Sequence, residues 1–174
     1  MQGCSLVRVK KRPGCPQQGW LLLGGRAVAV TLGRSGIRAD KREGDGATPR
    51  GLFRAVRVWW RSDRGRRPKT RLPVRRIRPC DAWCEDPADR RYNRPILLAE
   101  GGPGDRLWRE DRLYDIVVEI DHNRRPRIAG RGSAVFFHVA RPDFGPTAGC
   151  VGLPEPELRR LIARIGPRTR IAIQ

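Results

Sequence analysis

A histidine and a cysteine twelve positions apart carry the strongest chemical signal in the chain. His138 follows an apolar run, and Cys150 closes a turn of small residues that begins at Thr147. A thiol nucleophile needs a base to take its proton and backbone N–H groups to hold the oxyanion that develops on the attacked carbonyl. The segment supplies all of these groups. On spacing alone, however, a buried structural cysteine after a strand histidine explains the pair equally well.

The residues around this pair receive separate roles. We predict Cys150 as the nucleophile and His138 as the group that accepts its proton or forms an ion pair with it. The N–H groups of Gly149 and Cys150 are candidates for the oxyanion hole, because glycine lets the backbone approach closely. Thr147 is a candidate for orienting the turn or the substrate. Arg141 is a candidate for binding a substrate carboxylate, with an ordinary surface arginine as the alternative.

The chain is long enough for one domain with its own core. It has 174 residues, and we predict a single domain over residues 1–174 with its core at about 5–174. No stretch approaches the roughly 18 apolar residues of a membrane span. No signal peptide is visible near the start, so the cytoplasm and the cell envelope both stay open as compartments.

The strong positive charge indicates less about function than its size implies. The formal net charge is +19, which suits a polyanionic partner. The basic residues are mostly arginines spread along the chain among acids, as the codon bias of a GC-rich genome produces. The densest run, residues 61–78, is interpreted as a solvated loop or, alternatively, a contact for an anionic substrate. Because no aromatic stacking platform accompanies the charge, nucleic-acid binding is only a distant alternative.

Five cysteines in a chain without a visible export signal do not indicate a disulfide framework. Cys80 and Cys84 have no second pair and no nearby histidine, so we predict no metal site. A disulfide between them is open if the protein reaches an oxidising compartment.

The hydrophobic pattern is mostly that of β-strands. A single helix is predicted after Pro154, where Leu158, Leu161 and Ile162 recur at helical spacing. Residues 61–94 are predicted to be irregular, and residues 95–99 form a short apolar run. Strands are predicted at residues 6–9, 20–23, 27–31, 53–60, 114–120, 134–139 and 169–173. The fold class is therefore mainly β, with a short helix after the cysteine.

Two segments together resemble the L,D-transpeptidase catalytic domain family, the YkuD-like fold. Residues 44–53, GDGATPRGLF, are similar to the family's GDxxTPxGxF turn, in which we expect Asp45 and Thr48 to build the turn. His138 and the Thr-Ala-Gly-Cys sequence ending at Cys150 are similar to its second motif. Many members have a histidine where this chain has Ala148. His138 is therefore left as the local base. The segments at residues 83–86, 92–95 and 121–123 resemble a compact branch of the family, which commonly has another residue in place of that histidine.

The resemblance implies a β-sandwich and a reaction on peptidoglycan stem peptides. Cys150 would form a thioester with the stem and release terminal D-alanine, without a metal or organic cofactor. An amine acceptor then gives an L,D cross-link. Water gives L,D-carboxypeptidase trimming of muropeptides, and both outcomes stay open. The expected partners are stem peptides or muropeptides, and the expected state is a monomer in the cell envelope, with the cytoplasm as the alternative.

Overall fold

The computed structural model describes residues 4–98 and 103–174. Ala99, the end of the apolar run noted above, lies outside the described residues. One helix, α1, spans Glu155–Arg164. The strands in chain order are β1 (Leu6–Arg12), β2 (Cys15–Leu23), β3 (Arg26–Thr31), β4 (Ile37–Arg38), β5 (Thr48–Pro49), β6 (Gly51–Trp60), β7 (Val74–Arg76), β8 (Asp81–Trp83), β9 (Pro95–Leu97), β10 (Asp105–Arg106), β11 (Ile116–Ile120), β12 (Phe136–Val139), β13 (Val151–Leu153) and β14 (Arg170–Ile173).

The main sheet closes on itself. Its strand order is β11-β12-β13-β3-β2-β1-β14-β6-β7, and β11 also pairs with β6. Opposite walls pack on one apolar cluster, to which Val9, Leu21, Val58, Phe137 and Ile171 contribute. The prediction of a mainly β sandwich is confirmed.

Buried and exposed residues alternate along the strands because the closed sheet has one face toward the core and the other toward water. In β1, Val7 and Val9 are fully buried while Arg8 between them is exposed, because one face meets the core and the other meets water. In β11 all five residues are buried. Its inner residues Ile116 and Val118 join the main cluster, and Val117 joins a second cluster on the outer face.

Helix α1 confirms the one predicted helix. Pro154 precedes it, Glu155 and Glu157 occupy its first turn, and carboxylates there favour the positive end of the helix dipole. Its buried face, which includes Leu158 and Leu161, packs into the main apolar cluster. The helix therefore closes the core directly after the cysteine turn.

A small sheet covers the outer face near the cysteine, and one of its strands, β8, lies in the stretch that was predicted to be irregular. Its order is β10-β8-β9. Trp83 of β8 packs edge-on against Phe136, with ring centroids 5.0 Å apart, and against Trp59 at 6.3 Å. Strands of two or three residues carry too little alternation to be recognised, so β7 and β8 were missed, while the rest of residues 61–94 has no regular secondary structure, as predicted. Tertiary packing of the aromatic rings determines their position.

The basic run at residues 61–78 is not wholly a solvated loop. Arg61 is only 2% exposed, and its guanidinium lies 3.4 Å from the centre of the Trp108 ring. It also donates to Asp63, and Val74–Arg76 pairs with β6 as strand β7. Part of the run is therefore folded against the domain.

Gly33, just after β3, brings three segments together. Its N–H donates to Thr48 Oγ1 at 2.8 Å, and it forms an isolated β-bridge with Thr147. A Cβ at this position would lie 2.3 Å from the Gly46 carbonyl oxygen and 2.8 Å from the Thr48 nitrogen. Both contacts are backbone atoms, which no side-chain rotation can move away.

Replacing Gly33→Ala should therefore lower the free energy of unfolding by about 1–3 kcal/mol, the usual cost of overpacking a rigid site. Urea denaturation followed by tryptophan fluorescence measures the change. The matched control is Gly65→Ala, where a Cβ would meet only the flexible end of Arg159; we expect a change within about 0.5 kcal/mol. Equal midpoints for the two variants would contradict the close packing at Gly33.

Candidate active site

Parallel pairing of β12 with β13 places the histidine and the cysteine on one face. Phe137 lies opposite Val151, and His138 opposite Gly152. Cys150 is two residues before Gly152, so its side chain points to the same face as that of His138. The two positions are separated by about 6.6 Å along the strand direction, from a rise of about 3.3 Å per residue. Both side chains line the same cleft.

Backbone groups from the neighbouring segment hold the thiol. Cys150 Sγ donates to the carbonyl oxygen of Ala134 at 3.2 Å and accepts from the N–H of Phe136 at 3.3 Å. Ala134 has a φ of 51°, in the left-handed region that residues with a Cβ seldom adopt. For this reason the strand predicted at residues 134–139 begins only at Phe136.

A backbone carbonyl fixes the tautomer of His138. Its Nδ1 lies 2.8 Å from the carbonyl oxygen of Val139. Because a carbonyl oxygen only accepts hydrogen bonds, Nδ1 carries the hydrogen and Nε2 has the free lone pair. The Tyr114 ring packs edge-on against the imidazole, with centroids 5.4 Å apart. His138 therefore presents Nε2 as a base from a fixed ring.

Burial keeps both groups neutral in the unliganded site. It raises the pKa of Cys150 to about 12, since a thiolate would lose its hydration there. It lowers the pKa of His138 to about 4, because the imidazolium is disfavoured in the same way. A neutral thiol beside a neutral imidazole favours proton acceptance during attack over a preformed ion pair.

The Thr147 side chain organises the cysteine turn. Its hydroxyl donates to the Cys150 carbonyl oxygen at 2.6 Å and accepts from the Gly149 N–H at 3.1 Å. Gly149 has a φ of 144°, and a Cβ there would lie 2.8 Å from the Ala47 carbonyl oxygen. The turn therefore packs directly against the GDGATPRGLF segment. Both motifs recognised in the sequence meet at this point.

The Gly149 N–H is occupied by this bond, which bears on the predicted oxyanion hole. Within residues 4–98 and 103–174, the Cys150 N–H has no hydrogen-bond acceptor. The Ala148 N–H likewise has no acceptor among these residues, so these two backbone donors of the turn are free to bind a ligand oxygen.

Asp45 builds the turn of the first motif. Its carboxylate accepts from Lys41 Nζ at 2.6 Å, from the Arg42 N–H at 2.8 Å and from the Ala47 N–H at 2.8 Å. Lys41 is almost fully buried and lines the cleft. The carboxylate thus holds a buried cation beside the cysteine turn.

The cleft has a volume of about 380 Å³ and charges of both signs. Its acidic wall comprises Glu43, Glu85 and Asp105. Burial, Asp105 and Glu43 raise the pKa of Glu85 to about 7. Burial also raises the pKa of Asp105, although its carboxylate accepts from the Tyr114 hydroxyl at 2.7 Å.

The cleft also contains four basic residues, Arg34, Lys41, Arg109 and Arg141. Arg109 lies 4.9 Å from the centre of the Tyr114 ring and is paired with Asp111. Arg141 is exposed, and within the described part of the chain it has no ion pair. It remains the basic side chain most available to a ligand.

Several cleft residues were not recognised from the sequence. Lys41, Glu85, Asp105, Arg109 and Tyr114 come from four separate loops or strand ends, 36 to 109 positions from Cys150. No fixed spacing connects them to the histidine or the cysteine. The one signal for these residues in the sequence was the run of alternating charges before Tyr114, and such a run is also typical of an ordinary solvated surface.

The residues that the structure describes contain no candidate metal site and no candidate membrane-spanning helix. Among them, no three His, Cys, Asp or Glu side chains form a group that could hold a metal ion. No helix there is long and apolar enough to cross a membrane. The five cysteines are free thiols.

Comparison with known proteins agrees with the resemblance drawn from the two motifs. A family model described as the L,D-transpeptidase catalytic domain, YkuD, matches residues 16–173. One similar solved structure is that of Bdellovibrio bacteriovorus Bd1075, with 14% sequence identity and a TM-score of 0.46. The match covers 99% of this chain and 48% of that one, so this chain spans about half its length. A search among curated proteins found no match.

Because the resting thiol is neutral, alkylation of Cys150 by iodoacetamide should rise about tenfold per pH unit between about pH 6 and 9. The thiolate fraction grows in that proportion below a pKa of about 12. Peptide-resolved mass spectrometry separates Cys150 from the other four cysteines. His138→Gln should leave the slope unchanged. If the alkylation rate instead reached a plateau below about pH 7, and His138→Gln removed that plateau, the site would contain a thiolate–imidazolium pair. That result would contradict a neutral thiol and a neutral imidazole.

Proposed function

This chain belongs to the L,D-transpeptidase catalytic domain family, and we propose that it is a cysteine-dependent L,D-transpeptidase of peptidoglycan stem peptides. The observation that carries the proposal is the shared cleft, in which a held thiol and a base with a free Nε2 lie on one face. The acyl donor is the stem peptide, and the acceptor is an amine of a second stem.

In the first half-reaction, Cys150 Sγ attacks the carbonyl carbon at the L-centre of the third stem residue. The thiol proton moves to His138 Nε2 as the sulfur–carbon bond forms. The tetrahedral intermediate then collapses, and the bond to the terminal D-alanine nitrogen breaks. That nitrogen takes the proton from His138 and leaves as D-alanine. A thioester on Cys150 remains.

In the second half-reaction, the amine of another stem attacks the thioester carbonyl. His138 accepts a proton from this amine as the new amide bond forms. The sulfur leaves and recovers a proton from His138, which restores the neutral pair. The product is an L,D cross-link, with neither net oxidation nor net proton change.

The oxyanion and the substrate charges have counterparts in the cleft. We assign the oxyanion to the Cys150 N–H, with Thr147 and Gly149 holding the turn that presents it. Arg141 at the rim suits the donor carboxylate. Glu43 and Glu85 on the acidic wall suit the ammonium groups of a zwitterionic stem.

The product of a tetrapeptide muropeptide tests the proposal. The protein should release D-alanine and form a cross-linked dimer. Cys150→Ala should reduce turnover by more than about a thousandfold, and His138→Gln should also reduce it strongly. Liquid chromatography with mass spectrometry measures dimer and tripeptide together. The control Cys15→Ala changes a free cysteine on β2, away from the cleft, and should retain full activity.

Two results would contradict the transpeptidase proposal. Tripeptide without dimer at high acceptor concentration would show that water resolves the thioester, which makes the protein an L,D-carboxypeptidase. Dimer formation that survives Cys150→Ala would remove the nucleophile itself from the mechanism.

A further inference from the structure

A second cavity lies apart from the cleft, and five of its eleven lining residues are arginines. Its volume is about 510 Å³, and it shares no lining residue with the cleft of Cys150. The charged residues that line it are Arg57, Arg94, Arg124, Arg125, Arg127 and Glu119. The family reaction described above uses none of them.

Glu119 neutralises only a small part of this charge. Its buried carboxylate lies 3.1 Å from Arg57 Nε and 3.2 Å from Arg124 Nη1, and it accepts from the Trp59 indole at 3.0 Å. The other three arginines have no carboxylate within 4.0 Å among residues 4–98 and 103–174. The cavity therefore holds several guanidinium groups for one carboxylate.

One guanidinium nitrogen in the cavity is left without an acceptor. Arg127 Nε is shielded from solvent and has neither a hydrogen-bond acceptor nor an ion-pair partner in the described part of the chain. A buried donor without a partner is unfavourable, and natural proteins seldom retain one without a reason. Burial, Arg94 and Arg124 together lower the pKa of Arg127, which reports the same unbalanced positive charge.

Hydrogen bonds hold the loop that carries three of these arginines. Asn123 Oδ1 accepts from the Ile128 N–H at 2.9 Å, and its Nδ2 donates to the carbonyl oxygens of Ile128 and Gly132 at 2.8 and 3.0 Å. Asn93 Nδ2 donates to the Asn123 carbonyl oxygen at 2.9 Å. The like charges are thus kept together by the backbone despite their mutual repulsion.

We propose that this arginine pocket binds an anion with two adjacent phosphate groups, a ligand of the pyrophosphate class. Guanidinium groups match phosphate oxygens in a bidentate geometry, and the unpartnered Nε of Arg127 would gain an acceptor. Two phosphates bring enough negative charge for the unpaired arginines, which one phosphate does not. The proposal is independent of the reaction at Cys150.

Isothermal titration calorimetry of the full chain with inorganic pyrophosphate, at fixed ionic strength, tests the pocket. The wild type should bind pyrophosphate more tightly than orthophosphate. Arg94→Gln combined with Arg127→Gln should weaken pyrophosphate binding by about tenfold or more. The control pair Arg8→Gln and Arg170→Gln removes the same charge from exposed strand positions and should change the affinity less than about twofold.

Thermal melting provides a second readout and shows whether the variants fold. Without ligand, the Arg94→Gln and Arg127→Gln protein should melt at or above the wild-type temperature, because like charges are removed. It should lose the rise in melting temperature that pyrophosphate gives the wild type. A parallel titration with ADP shows the source of the diphosphate: equal affinity supports recognition of the diphosphate alone, and tighter binding supports a nucleotide.

Three outcomes would overturn the proposal. The first is no heat of binding with pyrophosphate or with ADP. The second is an equal loss of affinity in the pocket pair and the control pair, which would show general attraction to a basic surface. The third is a clear fall in melting temperature for the pocket variant without ligand, which would show that the arginines stabilise the fold.

Discussion

The pairing of β12 and β13 is the constraint on which the site depends. These strands run parallel, although only residues 140–150 separate them in the chain. Parallel neighbours need a crossover of about a dozen residues, and this one consists of the cysteine loop itself. Its end is tied to the segment just after β3, because the Thr147 N–H donates to the Leu32 carbonyl oxygen and the Arg34 N–H donates to that of Thr147, both at 2.9 Å. The connection that the sheet requires therefore also carries Cys150, the proposed nucleophile.

The position of Cys150 at the end of this connection also determines the protonation state of its thiol. Packing Cys150 among Trp83, Phe136 and Tyr114 removes it from water, so the resting state is a thiol and not a thiolate. In the proposed reaction, the pair becomes reactive when a carbonyl carbon arrives and His138 takes the proton in the same step. Burial of a neutral thiol also protects Cys150 from adventitious oxidation, since the thiolate is the form that reacts.

The local elements that carry the candidate site could be predicted from the sequence, and the residues that surround it could not. Local sequence signatures mark the strand before His138, the turn at Cys150 and the helix after it. The turn that begins at Gly44 added the second motif by which the family was recognised. The conformation of Ala134 has no such signature, because the contact of its carbonyl oxygen with the thiol is tertiary. Distant short segments likewise form the sheet around Trp83 and the acidic wall at Glu85. Each segment is too short to show an alternation of buried and exposed residues or a fixed spacing between functional residues.

Mass spectrometry of the acid-quenched protein, after brief mixing with a tetrapeptide stem, tests Cys150 as nucleophile and His138 as base most directly. The intact mass should rise by that of the acylating tripeptide unit, and digestion should locate the adduct on Cys150. His138→Gln should slow the appearance of this adduct, while Cys15→Ala should leave its rate unchanged. Two results would contradict a thioester formed by Cys150 with the help of His138. One is an adduct on another residue. The other is release of D-alanine with no adduct at any quench time, at a rate that His138→Gln leaves unaffected.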